Sequence, residues 1–487
     1  MNATDTKYTL VPQDNVRVSA NNKKIDENSL VLEQKSSKNK KGSKIGKRYI
    51  QIIWLSTILI TMYLMRINIS VTIVAMTDPN PSNKDVPVYK WPDKSLILSG
   101  FLWGYFVPQP FAGWASTRFG GKWFLVGALV ASSILNALVP ICAAYFGSVG
   151  VLVVRIFLGI SQSLLYPTLN NMLGKWGPVQ ERSRLGCLIF AGSSLGIVLS
   201  MVISGYLCST RYGWPIVFYI FSAIGIIVAL SYSYIGCNSP AQHSTITVEE
   251  RYYIESNLPK ISYTEKLDTP WKDIFTSPSF WALFIAECGN NFGHWTLLSQ
   301  IPSYLNHVMK FDIKSYGELS SLPYLLQWIM AYVYGFLADW VITKKVTSIT
   351  STRKIMNAIA FLGPALALIL IGNSDSNLKI YVLVILMVGV SCISAGKSGH
   401  LINYVDLSPN HAGTIMGIAN GSSIGFASLG NVMVHFIVTN DQNSNQWRII
   451  FYCAAVIYVF ATIVYCVFGS GEVQPWNEKK AKNRAVI

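Results

Sequence analysis

From Tyr49 to Met76 the chain carries a single charged side chain, Arg66, in a run of Ile, Leu, Met, Val and Thr. A helix needs about 20 apolar residues to cross the hydrocarbon core of a bilayer, and this run is long enough. Runs of the same kind recur to the end of the chain. They predict twelve spans, at roughly 49–76, 94–116, 123–146, 149–173, 184–208, 214–237, 279–306, 316–340, 354–372, 378–401, 411–438 and 446–469. Backbone polar groups inside lipid must be satisfied within the segment, which forces such runs into helices. Composition agrees: 51% of residues are hydrophobic and 13% charged, against about 25% charged in soluble domains. The expected fold is an all-α membrane protein with twelve transmembrane helices.

Residues 1–48 are polar and lysine-rich and are expected to form a disordered cytoplasmic tail. The first apolar run is too long for a signal-peptide core, so it reads as a retained span. A net charge of +15 would suggest nucleic acid in a soluble chain. Here much of the excess lies in the two tails and in short loops, the positive-inside pattern. The expected partner is the bilayer, with no nucleic acid and no obligate second subunit. The Lys35–Arg48 cluster suits a lipid surface as well. An even number of spans puts both termini on one side, and the lysines place that side in the cytoplasm. Eight cysteines lie in apolar segments with no CxxC pair and are read as buried thiols.

A polar linker over 238–278 separates an N-terminal bundle (49–237) from a C-terminal bundle (279–470), and a short cytoplasmic tail (471–487) follows. WPIVFY at Trp214–Tyr219 returns as WRIIFY at Trp447–Tyr452, and GSSLG at Gly192–Gly196 returns as GSSIG at Gly421–Gly425. GWASTRFGGK (Gly113–Lys122) has a looser partner in GFLADWVITKK (Gly335–Lys345). Repeats in the same order predict two pseudo-symmetric six-helix bundles with a site between them.

These features resemble the major facilitator superfamily, whose loop after span two has the form Gly-x-x-x-Asp-Arg-x-Gly-x-Lys. Thr117 takes the place of the aspartate, while Asp339 stands at the second-half position. RINISVTIVAM (Arg66–Met76), YPTLNNMLGKWGPVQERSRL (Tyr166–Leu185), NYVDLSPNHAGTIMGIANG (Asn403–Gly421) and GEVQPW (Gly471–Trp476) are similar to the anion/phosphate cotransporter family. That family includes sialin, the vesicular glutamate transporters and insect proteins called inorganic phosphate cotransporters. The resemblance implies a transporter of inorganic phosphate or organic anions, not an enzyme. It implies alternating access coupled to Na+ or H+, with no resident cofactor or metal. A sialin-like proton-coupled exporter of endolysosomes is the alternative. An anion channel or a non-transporting scaffold is the rival from another class.

A buried arginine costs about 2.5–3.5 kcal/mol at a helix centre and stays charged, so it needs a partner or a wet cavity. Arg66 lies about 16 Å from the outer end of span one, and Arg155 about 9–12 Å from the outer end of span four, at 1.5 Å per residue. Two guanidiniums facing one cavity would make an anion site; the competing reading is snorkelling or a carboxylate partner. The resemblance implies substrate contact at both arginines, and it places aromatic side chains like Tyr63 and Tyr105 in the cavity wall. Span seven, ECGNNFGHWTLLSQIPSY, is unusually polar. Asn291 is a candidate substrate contact there, His294 a candidate proton carrier, and Glu287 a candidate gate salt bridge. Lys397, about 26–29 Å in from the outer face, reads as snorkelling at the cytoplasmic mouth. The resemblance implies inner-gate and packing roles for Asn403 and Asp406. Glu181 and Arg182 are expected to pair charges across the cytoplasmic face, with Asp339 as the second-half counterpart.

Family members often carry Gly-x-Gly-Glu-Gly in span four. This chain has GISQS, with Gln162 at the glutamate's place, and a glutamine cannot carry a proton. Leu98 and Asn290 replace a histidine and an arginine of the glutamate transporters, so vesicular glutamate uptake is a poor match. The membrane is read as plasma or endolysosomal. Tyr8-Thr-Leu-Val has the form of an endocytic sorting signal.

Overall fold

The computed structural model describes residues 46–77, 86–91, 94–258, 269–307, 313–374, 378–439 and 443–478. The Tyr8 signal, residues 1–45 of the tail expected to be disordered, and residues 479–487 lie outside the described residues; Lys47 and Arg48, counted in that tail by the sequence reading, are instead the first residues of a helix.

The first span is α1, Lys47–Met76, about 45 Å long at 1.5 Å per residue. The second is broken into α2 (Lys94–Phe106) and α3 (Gln109–Phe119). Pro108 and Pro110 flank the break and lack the N–H that a continuous helix needs. Spans three and four form α4, Lys122–Gln162, which reverses at Gly147 (φ 60°, ψ −146°), and α5, Leu165–Trp176. Only glycine adopts that Gly147 conformation readily. Pro167 cannot donate to the carbonyl of Ser163, so span four bends there. Then follow α6 (Arg182–Cys208), α7 (Pro215–Ile235) and two short linker helices, α8 (Val248–Ser256) and α9 (Trp271–Thr276).

The second half has α10 (Pro278–His307), α11 (Ile313–Thr343), α12 (Ile349–Gly372), α13 (Lys379–Ile393), α14 (His400–Leu407), α15 (Ala412–Ile437) and α16 (Ser444–Phe468). A 3₁₀ turn, Ser394–Lys397, joins α13 to α14 as one bent span. Among the described residues, eight stretches are long and apolar enough to cross a membrane, and one of them, Lys122–Trp176, reverses at Gly147 and is long enough for two crossings. The α2–α3 pair, α10 and α15 supply the other crossings; α10 and α15 are rich in Asn, Gly and Ser.

Helix pairing repeats between the halves. α1 packs on α6 as α10 packs on α15, and α1 on α7 as α10 on α16. Across the interface, α6 lies on α11 and α3 on α15. Large apolar side chains such as Ile227, Leu230, Val456 and Ile463 face outward and exposed, which a bilayer tolerates and water does not. The cysteines follow the same logic. They are free, but only Cys187 is fully buried and Cys466 is exposed, so the expectation of uniformly buried thiols is corrected. A lipid-facing surface can be as apolar as the core.

Both ends of the described membrane unit lie at one end of the bundle, called here the termini end. The Glu250 carboxylate accepts from the backbone N–H groups of Lys47 and Arg48 at 2.8 and 3.1 Å. Asn477 Oδ1 accepts from Ser408 Oγ at 2.8 Å. There the halves touch backbone to backbone. A β-carbon on Gly417 of α15 would sit 2.5 Å from the carbonyl oxygen of Gln109 on α3. Small residues allow this approach. Gly417→Leu is therefore expected to keep the termini end from closing. Reconstituted protein should insert normally yet lose about tenfold or more of its uptake, since the penalty for overpacking is about 1–3 kcal/mol.

Candidate functional site

The site lies where α1, α5, α6, α10, α15 and the α13–α14 break converge. Arg66 sits in mid-α1, 3% exposed. Its guanidinium carbon stands 4.5 Å from the Tyr63 ring centre and 4.6 Å from those of Phe101 and Tyr105. Its Nε donates to Gln162 Oε1 at 3.1 Å. Aromatic faces stabilise a desolvated cation by about 2 kcal/mol or more, but they supply no counter-charge. Among the described residues Arg66 forms no ion pair, and its Nη2 is buried without a hydrogen-bond partner.

The cavity beside Arg66 is lined from both halves. Tyr63, Tyr105, Tyr166 and Ser194 come from the first, and Glu287, Asn290, Asn291, His294, Lys397 and His400 from the second. Its volume is about 90 Å³, several times the roughly 10–15 Å³ that one water needs. The Tyr63 and Tyr166 hydroxyls bond each other at 2.9 Å, which fixes two polar tips on its wall.

Arg155 departs from expectation. It is 4% exposed and does not snorkel. It is also absent from the cavity lining. Its Nη1 donates to the Arg66 carbonyl at 3.2 Å, and its guanidinium lies 5.1 Å from the centre of the Phe101 ring. Phe101 thus contacts both arginines, and the second one stands behind the first. The two arginines are neighbours, but they do not face the cavity together. Arg155 Nε is buried and unpartnered.

Opposite Arg66 the wall is a polar chain. Asn291 Nδ2 lies 3.1 Å from Glu287 Oε1, 3.2 Å from Asn420 Oδ1 and 2.7 Å from Ser423 Oγ. Asn420 Nδ2 reaches across the interface to Gln109 Oε1 at 3.0 Å. Glu287 makes no ion pair with an arginine or lysine among the described residues, which corrects the gate-salt-bridge reading. It accepts from Tyr404 Oη at 3.2 Å, and His400 Nε2 is 3.6 Å away. His294 lines the cavity near the middle of α10.

Lys397 does not snorkel at the cytoplasmic mouth; it lines the cavity. The 3₁₀ turn and the break at Gly399 carry Lys397 to the interface, where Nζ donates to Ser194 Oγ at 3.0 Å. Tyr166, Ser194 and His400 were also missed as lining residues. For Tyr166 and His400 the signal is a polar side chain beside a proline or glycine break in an apolar run; Ser194 lies inside a continuous helix and carries no such signal.

The termini end is shut by charge. Asp406 of α14 accepts from Arg182 Nη1 of α6 and from Arg353 Nε of α12, both at 2.7 Å, and all three are buried. Arg353 Nη1 also donates to Ser183 Oγ at 2.8 Å. Asp339 pairs with no side-chain cation among the described residues. It accepts the backbone N–H groups of Ser183 and Arg184 at 3.0 and 2.8 Å, so it caps the positive end of α6 across the interface. Glu181 pairs within its own half, with Arg48 at 2.9 Å and with Arg184. Arg182 alone of that stretch bridges the halves by an ion pair. Asn403 donates to Tyr465 Oη at 2.7 Å and to the Ser470 carbonyl at 2.9 Å, so it holds the α14–α16 packing.

Residues 53–429 match the model of the Major Facilitator Superfamily. A "Putative inorganic phosphate cotransporter" of Drosophila ananassae is 34% identical over 440 residues, covering 85% of this chain and 91% of the relative. Vesicular glutamate transporter 3 of Danio rerio is 33% identical over 448 residues, covering 89% and 74%. In structure, the fucose:proton symporter of E. coli superposes with a TM-score of 0.58 at 14% identity, over 86% of this chain and 99% of that one; this likeness concerns the fold. The relatives are transporters rather than enzymes. The chain is an integral, multi-pass membrane protein that belongs to the major facilitator superfamily and, within it, to the anion/phosphate cotransporter family.

Proposed function

We propose that this chain is a secondary active transporter that moves a small anion, inorganic phosphate or an organic acid, by alternating access between its two halves. One observation carries the reading: Arg66 is a buried cation on a cavity between the halves, and no described carboxylate neutralises it. An anion that fills this gap offsets the cost of the buried charge. The names of the phosphate-cotransporter and glutamate-transporter relatives support the same class of substrate. Arg66 binds the anion, Tyr63 and Tyr105 shape its seat, and Arg155 adds positive potential from behind. Asn291 faces the anion from the other half. Co-transported Na+ or H+ drives the cycle, with His294 and Glu287 among the groups on the cavity able to take a proton. The termini end faces the cytoplasm, in keeping with Arg118, Lys122, Lys344 and Lys345 in its loops. The cavity is built from one chain, and a monomer is the working unit.

Gln162→Glu gives a direct check on the arginine. Gln162 Oε1 already accepts from Arg66 Nε, so a carboxylate there would compete with the anion. Uptake at neutral pH is expected to fall by about tenfold or more, as a paired charge is worth several kcal/mol at low dielectric. Acidification should restore it, because protonating the new carboxylate frees Arg66.

The function itself is tested by uptake of labelled phosphate into cells expressing the chain, with and without external sodium, at acid and neutral pH. Saturable uptake that depends on sodium or on acid supports the reading. No saturable movement of phosphate or of any organic anion, in protein that reaches the membrane, overturns it.

A further inference from the structure

We infer that Lys397 is a second anion contact, which makes the cavity selective for divalent anions held between Arg66 of one half and Lys397 of the other. The inference rests on the transport reading above and adds a residue and a charge preference to it. The two cations line one cavity from opposite halves, Arg66 from α1 and Lys397 from the bend between α13 and α14. Neither forms an ion pair among the described residues. Nor is either fully employed as a donor. Arg66 Nη2 is buried and unpartnered. Lys397 makes one side-chain hydrogen bond, to Ser194 Oγ, although an ammonium carries three N–H donors.

Ser194 in turn donates to Gln327 Oε1 at 3.0 Å. The bond from Lys397 to Ser194 thus already crosses the interface between the halves, and an anion would exchange a neutral hydroxyl for a charged acceptor. The other titratable groups on the cavity are His294, His400, Glu287 and the tyrosines. Glu287 is committed to Tyr404 and Asn291, with His400 at 3.6 Å, so it leaves both cations available. A monovalent anion satisfies one cation and leaves the other unpaired. A divalent anion satisfies both, and it does so only when the halves are close together. Charge preference and the coupling of binding to rocking then share one cause.

The test uses the purified full chain and two isosteric pairs of probes at neutral pH. Sulfate and methanesulfonate differ by one charge in a compact anion. Succinate and its monoamide, succinamate, differ by one charge in an extended one. Affinity is read as the concentration dependence of protection against thermal unfolding. The wild type is expected to bind the divalent member of at least one pair about tenfold or more tightly, by the worth of one additional charge contact. The pair that shows it also tells a compact substrate from an extended one. Lys397→Gln should bring the two affinities of that pair to within about twofold while keeping that for the monovalent member, and Lys397→Arg should retain the preference. Arg66→Gln should lose both members.

A wild type that does not discriminate by charge overturns the inference without the need for any variant. So does a Lys397→Gln protein that keeps the preference. If Arg66→Gln still loses binding in that case, the transport reading stands and only the role of Lys397 falls. If Arg66→Gln binds every probe as the wild type does, or if no probe binds the wild type, both fall together.

Discussion

Arg66→Gln is expected to reduce anion uptake to background while leaving the protein folded and inserted. A unit charge about 4 Å from a bound anion is worth about 4 kcal/mol at an effective dielectric constant of 20, and even half of that weakens binding about 30-fold. The fold should not suffer. Arg66 is buried without a described carboxylate, and glutamine relieves that burial cost. Its aromatic neighbours Tyr63, Phe101 and Tyr105 remain to fill the space. The melting temperature of the substrate-free variant is therefore expected to equal or exceed that of the wild type. Uptake lost together with a lower melting temperature would instead make Arg66 a structural residue.

Asp406→Asn should have an effect of similar size, by another route. Asp406 is the shared acceptor of Arg182 and Arg353, both buried. Removing one member of a buried ionic cluster costs about 3–5 kcal/mol, because the remaining charges are left uncompensated. Asparagine keeps the shape, but its one acceptor oxygen cannot serve two guanidiniums. The halves are then expected to part at the termini end. Cys187 reports on this, since it is buried on α6 against Gly335 of α11 at the interface. Maleimide labelling of Cys187, read by mass spectrometry, should rise at least severalfold in Asp406→Asn and uptake should fall. Unchanged Cys187 labelling with normal uptake would show that the triad does not hold this end shut.

The spans were legible because lipid enforces helices wherever the chain is apolar. The breaks inside them were written less loudly, in Pro108, Pro167 and Gly399. A straight helix would put Lys397 at its mouth, whereas it lies on the turn after α13 and lines the cavity. Arg66 could be placed because α1 is continuous and depth along it follows from residue count. The depth of Arg155 was equally legible, but the side it faces was not, since that depends on how Phe101 packs between α1 and α4. Partners across the interface were the least visible. Nothing local to Asp339 indicates that it caps α6, and nothing local to Glu287 indicates that a tyrosine and an asparagine, rather than a cation, satisfy it. Such pairings arise only when the two halves are brought together.

That the transported anion sits on Arg66 can be seen in an experimental structure of the chain with arsenate, a phosphate isostere whose anomalous scattering identifies it. An arsenate peak is expected in the cavity within hydrogen-bond distance of the Arg66 guanidinium. Arsenate bound elsewhere between the halves, with the Arg66 guanidinium turned away or paired to protein, would show that Arg66 does not hold the anion.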